Sequence, residues 1–134
     1  MKTNEILPKK GVGDVVFESD VLALQTLGYV EEIASFDEIL NWHTYTKNEG
    51  LECYVKDNVV VCIACFANCH FQGVDLIGKT PEEVISIFGD PDEIGADVFM
   101  GEKTQQTPYE YFSYGLQIWM EAGRVVSVFC NSQY

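Results

Sequence analysis

The chain has 134 residues, with 21 acidic side chains against 8 Lys and Arg, a net charge of −13 and a pI near 4.3. A phosphate-backbone binder needs clustered cations, and here they stand singly or as the one pair Lys9-Lys10, so nucleic acid is a poor partner and a basic protein a better one. With 47% apolar and 13% aromatic residues the chain can fill a core, which excludes a disordered segment and fits a single globular unit, residues 1–134.

The opening MKTNEILPKKGVGD carries no apolar stretch of signal-peptide length, and no uncharged run is long enough to cross a membrane. A cytoplasmic protein without membrane contact is expected. The five cysteines (53, 62, 65, 69 and 130) are then expected to be reduced. Gly11-Val12-Gly13 reads as a turn, because the rest of a phosphate loop is missing. Ser19 is expected to cap a short first helix with Val21, Leu24 and Leu27 on one face and Gly28 as its stop. A strand near 42–47 turns through Asn48-Glu49-Gly50 into a hairpin of Leu51–Lys56 and 59–64 around Asp57-Asn58. The second helix is better marked: Thr80 as cap, Pro81 at the first helical position, Glu83 closing a capping box, Gly89 as stop and Pro91 beyond. A strand near 108–114 then leads through Tyr114-Gly115 to a second hairpin, Leu116–Glu121 and 124–129, around Ala122-Gly123.

The two halves match. Residues 50–65, GLECYVKDNVVVCIAC, lie over 115–130, GLQIWMEAGRVVSVFC, without a gap, and 14–33 lie over 75–94 with Gly28/Gly89 and Ile33/Ile94 identical. The pattern predicts an α+β fold of two degenerate repeats, about 11–70 and about 73–132, each a short helix followed by an antiparallel meander. Two-residue turns predict the facing pairs Tyr54/Val61, Cys53/Cys62, Trp119/Val126 and Ile118/Ser127. Leu51, Val55, Leu116, Ile118 and Met120 then face the helices, and Tyr54 and Trp119 face the other way. That second face is either covered inside the monomer or open as an aromatic binding surface.

Chemistry is sparsely marked. Cys62-x2-Cys65-x3-Cys69-His70 is the one dense run of metal-ligand types, but Cys62 and Cys65 point to opposite faces of a strand, and small buried cysteines account for the run. Use of this segment to hold a small ligand or a metal is the alternative reading. Neither His43 nor His70 sits in a nucleophile motif, and the carboxylates at helix exits imply no apolar pocket. No enzyme activity, metal or cofactor is expected.

The stretch 78–84, GKTPEEV, then 88–93, FGDPDE, and the strands that follow resemble the G-x-T-x-x-E-V…G-x-P pattern of SmpA/OmlA-type domains. The first half is looser, lacking the Thr, the capping Glu and the Pro. That superfamily includes the β-lactamase inhibitor proteins, whose tandem helix-plus-sheet units bind a target across a concave sheet. The opening 7–14, LPKKGVGD, with the acidic duplicated body also resembles immunity proteins of bacterial toxin systems. The resemblance implies an inhibitor, monomeric or weakly dimeric, that neutralises a basic toxin, possibly a nuclease, by tight binding. The expected partner-binding residues are Tyr54, Trp119, Glu52 and Glu121, with Glu31 and Glu32 after the first helix and Asp90, Asp92 and Glu93 after the second. With the two halves side by side, these two acidic groups would form one rim.

Overall fold

We describe a computed structural model of residues 3–47, 50–99, 101 and 104–132. The elements run β1 (Asn4–Leu7), β2 (Gly11–Val12), β3 (Val15–Val16), α1 (Val21–Thr26), β4 (Val30–Asp37), β5 (Trp42–Thr46), β6 (Leu51–Lys56), β7 (Val59–Cys65), β8 (Cys69–Phe71) and β9 (Val74–Asp75). They continue through α2 (Pro81–Phe88), β10 (Glu93–Ile94), β11 (Val98–Phe99), β12 (Gln105–Tyr111), a 3₁₀ turn (Phe112–Tyr114), β13 (Leu116–Glu121) and β14 (Arg124–Asn131). The expected turn at Asn48-Glu49 lies outside the described residues.

The α+β class is corrected. Among the described residues strand takes up 52% and helix 14%, in two sheets with two α-helices, so the fold is β-rich and not a pair of helix-plus-meander repeats. The missing part is a five-stranded sheet, β3-β2-β1-β8-β9, built from segments read as a turn, a loop and a cysteine cluster. Its strands are two to four residues long, too short to show a period of two. It is closed by a parallel pairing, Asn4 with Cys69 and Glu5 with His70, that no local pattern could reveal.

The large sheet has nine strands in the order β10-β12-β13-β14-β7-β6-β5-β4, with β11 beside β12. Its centre is the pair of predicted hairpins, joined where β14 runs antiparallel to β7. Both turns have left-handed backbone at both positions, Asp57-Asn58 and Ala122-Gly123, the geometry that two-residue hairpins need. The facing pairs hold next to the turns and then slip. Tyr54 lies opposite Cys62 rather than Val61, and Trp119 opposite Ser127 rather than Val126. Cys53 and Ile118 shift likewise, to Ile63 and Val128. One extra residue, Val61 in β7 and Val126 in β14, forms a bulge at matching places in the two hairpins, and past it each return strand shows its opposite set of side chains.

The core forms on the inner face of this sheet, where Leu51, Cys53, Val55, Leu116, Ile118 and Met120 join Ile63, Val128 and Cys130. Leu24 of α1, Val84 and Phe88 of α2 and Ile6, Val12, Phe71 and Leu76 from the small-sheet region close over them. Helix α2 starts as predicted, with Thr80 accepting from the Glu83 amide and the Glu83 carboxylate returning to the Thr80 amide. These bonds to Thr80 hold the Glu83 carboxyl below its ordinary range. Helix α1 begins one residue later than expected. Asp20 caps it, and the Ser19 hydroxyl turns back to the Val16 carbonyl. Gly115 is required where it stands, since its φ is +66° and a Cβ would strike the Asn131 carbonyl.

Candidate functional site

Alternation along β6, β13 and their neighbours carries a second set of side chains to the outer face. Small residues form the floor there: Ala64, Cys62, Ser127 and Thr44 are all buried. Over them lie the rings of Trp42, Tyr54, Phe129 and Trp119, with Phe66 at the margin. Trp42 stacks on Tyr54 at 5.3 Å between centroids and Tyr54 on Phe129 at 6.1 Å, while Trp119 and Phe66 meet Phe129 edge-on at 6.3 and 6.2 Å. None of these five rings belongs to the core cluster on the inner face. Trp42, Tyr54, Trp119 and Phe129 remain half-buried and Phe66 is exposed. Phe66, Gln106, Trp119, Val126, Ser127 and Phe129 line a recess of about 310 Å³, room for one large side chain.

Two of the rings are anchored alike. The Tyr54 hydroxyl donates to Glu52 at 2.7 Å, and the Trp119 indole N–H donates to Gln117 at 2.8 Å, in each case two residues back on the same face. Burial, then the Glu52 hydrogen bond and charge, raise the Tyr54 pKa, so its hydroxyl stays a donor at any physiological pH. Glu121 accepts from Gln106 at 3.1 Å. By register, Glu32, Glu52, Glu93, Glu110 and Glu121 share this face. The cations at its hairpin ends are Lys56 and Arg124, and the latter donates to the Gly78 carbonyl.

Of the predicted residues, the structure thus puts Tyr54, Trp119, Glu52 and Glu121 together at the centre of this face, with Glu32 and Glu93 on the same face at its two ends. Glu31 faces the other way, where it holds His43 at 2.8 Å beside the Tyr45 hydroxyl. Asp92 accepts the Phe112 amide, and Asp90 lies beside Tyr111. The single acidic rim is also corrected. Glu31 and Glu32 lie on β4 and Glu93 on β10, at opposite ends of the sheet, because the halves meet through β7 and β14 and push their acidic strands outward. Seven strand spacings, about 34 Å along the sheet, separate them. Sequence reasoning missed Trp42, Phe66 and Phe129. An unbroken pleat from the Ala122-Gly123 turn would set Phe129 opposite Leu116 on the core face; the bulge at Val126 turns it over, opposite Gln117. Trp42 could have been found from its place one turn away from Tyr54 on the adjoining strand.

No protein family, curated sequence or solved structure matches the chain.

The cysteine segment departs from expectation. Cys65 and Cys69 form a disulfide, and Cys53, Cys62 and Cys130 are free and buried. Two thiols of the Cys62-Cys65-Cys69-His70 set are bonded to each other and Cys62 lies on the opposite face, so the set does not converge. Among the described residues no group of three His, Cys, Asp or Glu side chains is placed to hold a metal. The bridge closes the turn that presents Phe66, which the Phe66 amide bond to Gly50 and the Asn4 amide bond to Asn68 also fasten. A loop this short contributes about 2 kcal/mol by constraining the unfolded chain. Unfolded, unreduced protein is therefore expected to show three titratable thiols and reduced protein five. Replacing Cys65 and Cys69 together by serine is expected to lower stability by about 2 kcal/mol in denaturant unfolding.

Burial raises the Cys53 and Cys62 thiols from 9.0 to about 12 and raises Cys130 as well. The neutral thiol is favoured in the fold, so its contribution is complete below pH 9 and is lost as pH climbs towards 12. Stability measured against pH is expected to fall across that window, and less steeply in a Cys53→Ala, Cys62→Ala variant.

Proposed function

We propose that this chain is a protein-binding inhibitor whose outer sheet face receives a basic partner, most concretely an immunity protein that blocks a basic toxin domain. The observation that carries this reading is five aromatic rings spread over a floor of small residues, rimmed by carboxylates and left outside the core. Rings supply contact area at low entropic cost, and the recess beside Trp119 would seat one anchoring side chain. The net charge of −13 would speed encounter with a cationic partner in a salt-dependent way. A cytoplasmic location belongs to the same proposal. There the Cys65–Cys69 bridge would stand open in the reducing pool, and the Asn4 and Gly50 bonds would hold Phe66 in place. No helix among the described residues is long and apolar enough to cross a membrane.

The test is direct. The toxin domain encoded beside this gene is mixed with the purified chain, and complex formation and protection of toxin-expressing cells are measured. Stoichiometric binding with protection supports the reading; no binding, or binding without protection, overturns it.

A further inference from the structure

The long open edge of the nine-stranded sheet is β4. The far end of the sheet is closed by β10 and β11, two residues each, but no strand pairs with the outer side of β4 among the described residues. Val30 and Ile33 on this strand are well exposed, and so are Ile39 and Leu40 in the turn that follows it. The devices that usually blunt an edge strand are lysines, prolines and bulges. Between Val30 and Asn41 there is no Lys, Arg or Pro; one device is present, a bulge that takes residues 33–36 out of register with β5 and leaves Val30, Glu31, Glu32 and Asp37 as the paired positions. What the segment does carry is Glu31, Glu32, Asp37 and Glu38. Glu31 meets His43, and hydroxyls and backbone amides donate to these carboxylates: Tyr45 to Glu31, Ser35 and Thr46 to Glu32, and the Ile39 and Leu40 amides to Asp37.

This combination is selective. A second copy added edge to edge would set four carboxylates against the same four and be repelled. An extended segment with alternating cationic and apolar residues would satisfy the open backbone groups, cover Ile33, and neutralise the acids. We infer that β4 is a docking edge for an extended basic segment of a partner protein, which adds a strand to the sheet. The inference takes from the proposed function only the basic character of the partner, and it uses the strand edge, which meets the aromatic face at Glu32 alone.

The probe is a capped seven-residue peptide alternating lysine and valine, with a glutamate and valine peptide as control. Amide hydrogen exchange is followed in the full chain and in Ile33→Pro and Trp119→Ala variants. The lysine peptide is expected to slow exchange in residues 30–37 by about tenfold or more. That protection should vanish in Ile33→Pro, which breaks strand pairing, and persist in Trp119→Ala. If Ile33→Pro fails to fold, a Glu32→Lys, Glu38→Lys variant replaces it, and this variant should lose the lysine peptide and gain the glutamate one. Absence of protection, equal protection by both peptides, or protection lost in Trp119→Ala and kept in Ile33→Pro would each overturn the inference. Because the aromatic-face variant is scored separately, failure of the toxin reading leaves the β4 result standing, and the reverse.

Discussion

Trp119→Ala is expected to weaken binding of the basic partner by about 30-fold or more, almost all of it as faster dissociation. The ring closes one end of the aromatic row, edge-on to Phe129 and lining the 310 Å³ recess, with its N–H satisfied by Gln117. A pre-positioned aromatic that walls a recess for a partner side chain is where binding energy concentrates, typically about 2 kcal/mol or more per truncation. Association is set by charge and should hardly change, whereas Glu52→Gln and Glu121→Gln should slow it at low salt and have little effect at high salt. The fold should tolerate the change within about 1 kcal/mol, because the half-buried ring stands outside the core. Surface plasmon resonance with unfolding curves on the same sample separates the two. Unchanged dissociation in a folded variant would remove the aromatic face from the binding surface.

Phe88→Ala is expected to do the opposite, costing about 3–5 kcal/mol of stability and leaving binding by the folded fraction unchanged. Phe88 is the point where the layers meet. Its ring is 4.8 Å from Phe71 of the small sheet, 5.3 Å from Tyr111 of the large sheet and 5.1 Å from Tyr114 of the 3₁₀ turn. The Tyr111 hydroxyl, kept protonated by burial up to about 12, donates to the Gly89 carbonyl at 2.9 Å and ties the end of α2 to the same cluster. Truncation leaves a cavity bordered by elements that cannot all move inward. A fall in melting temperature of about 10–20 °C should follow in thermal circular dichroism. A loss below about 1 kcal/mol would show that the small sheet is not held through this cluster.

The elements legible in the sequence were those with local chemistry. Thr80, Pro81, Glu83 and Gly89 mark α2 because a cap, a fixed φ, a returning carboxylate and a left-handed stop each act within a few residues. The hairpins at Asp57-Asn58 and Ala122-Gly123 were legible for the same reason, and Tyr54 and Trp119 were placed together on the outer face. What misled was the assumption of an unbroken pleat. A single bulge residue leaves no mark in composition, yet it reverses the outlook of everything after it, which is how Phe129 passed from expected core to binding face. The fold class failed for a related reason: strands of two residues carry no periodicity, and helices of six and eight residues carry conspicuous caps.

By itself the sequence determined the acidity, the matched hairpins, their turns and the outward placing of Tyr54 and Trp119, since all of these are properties of single residues or short separations. Only the tertiary structure decided that the halves join through β7 and β14, that Cys65 pairs with Cys69, and that the two acidic groups lie at opposite edges rather than on one rim. Those outcomes depend on which strand edges meet. That is settled by burying the whole apolar inner face at once, a condition spread over the entire chain and written in no one part of it.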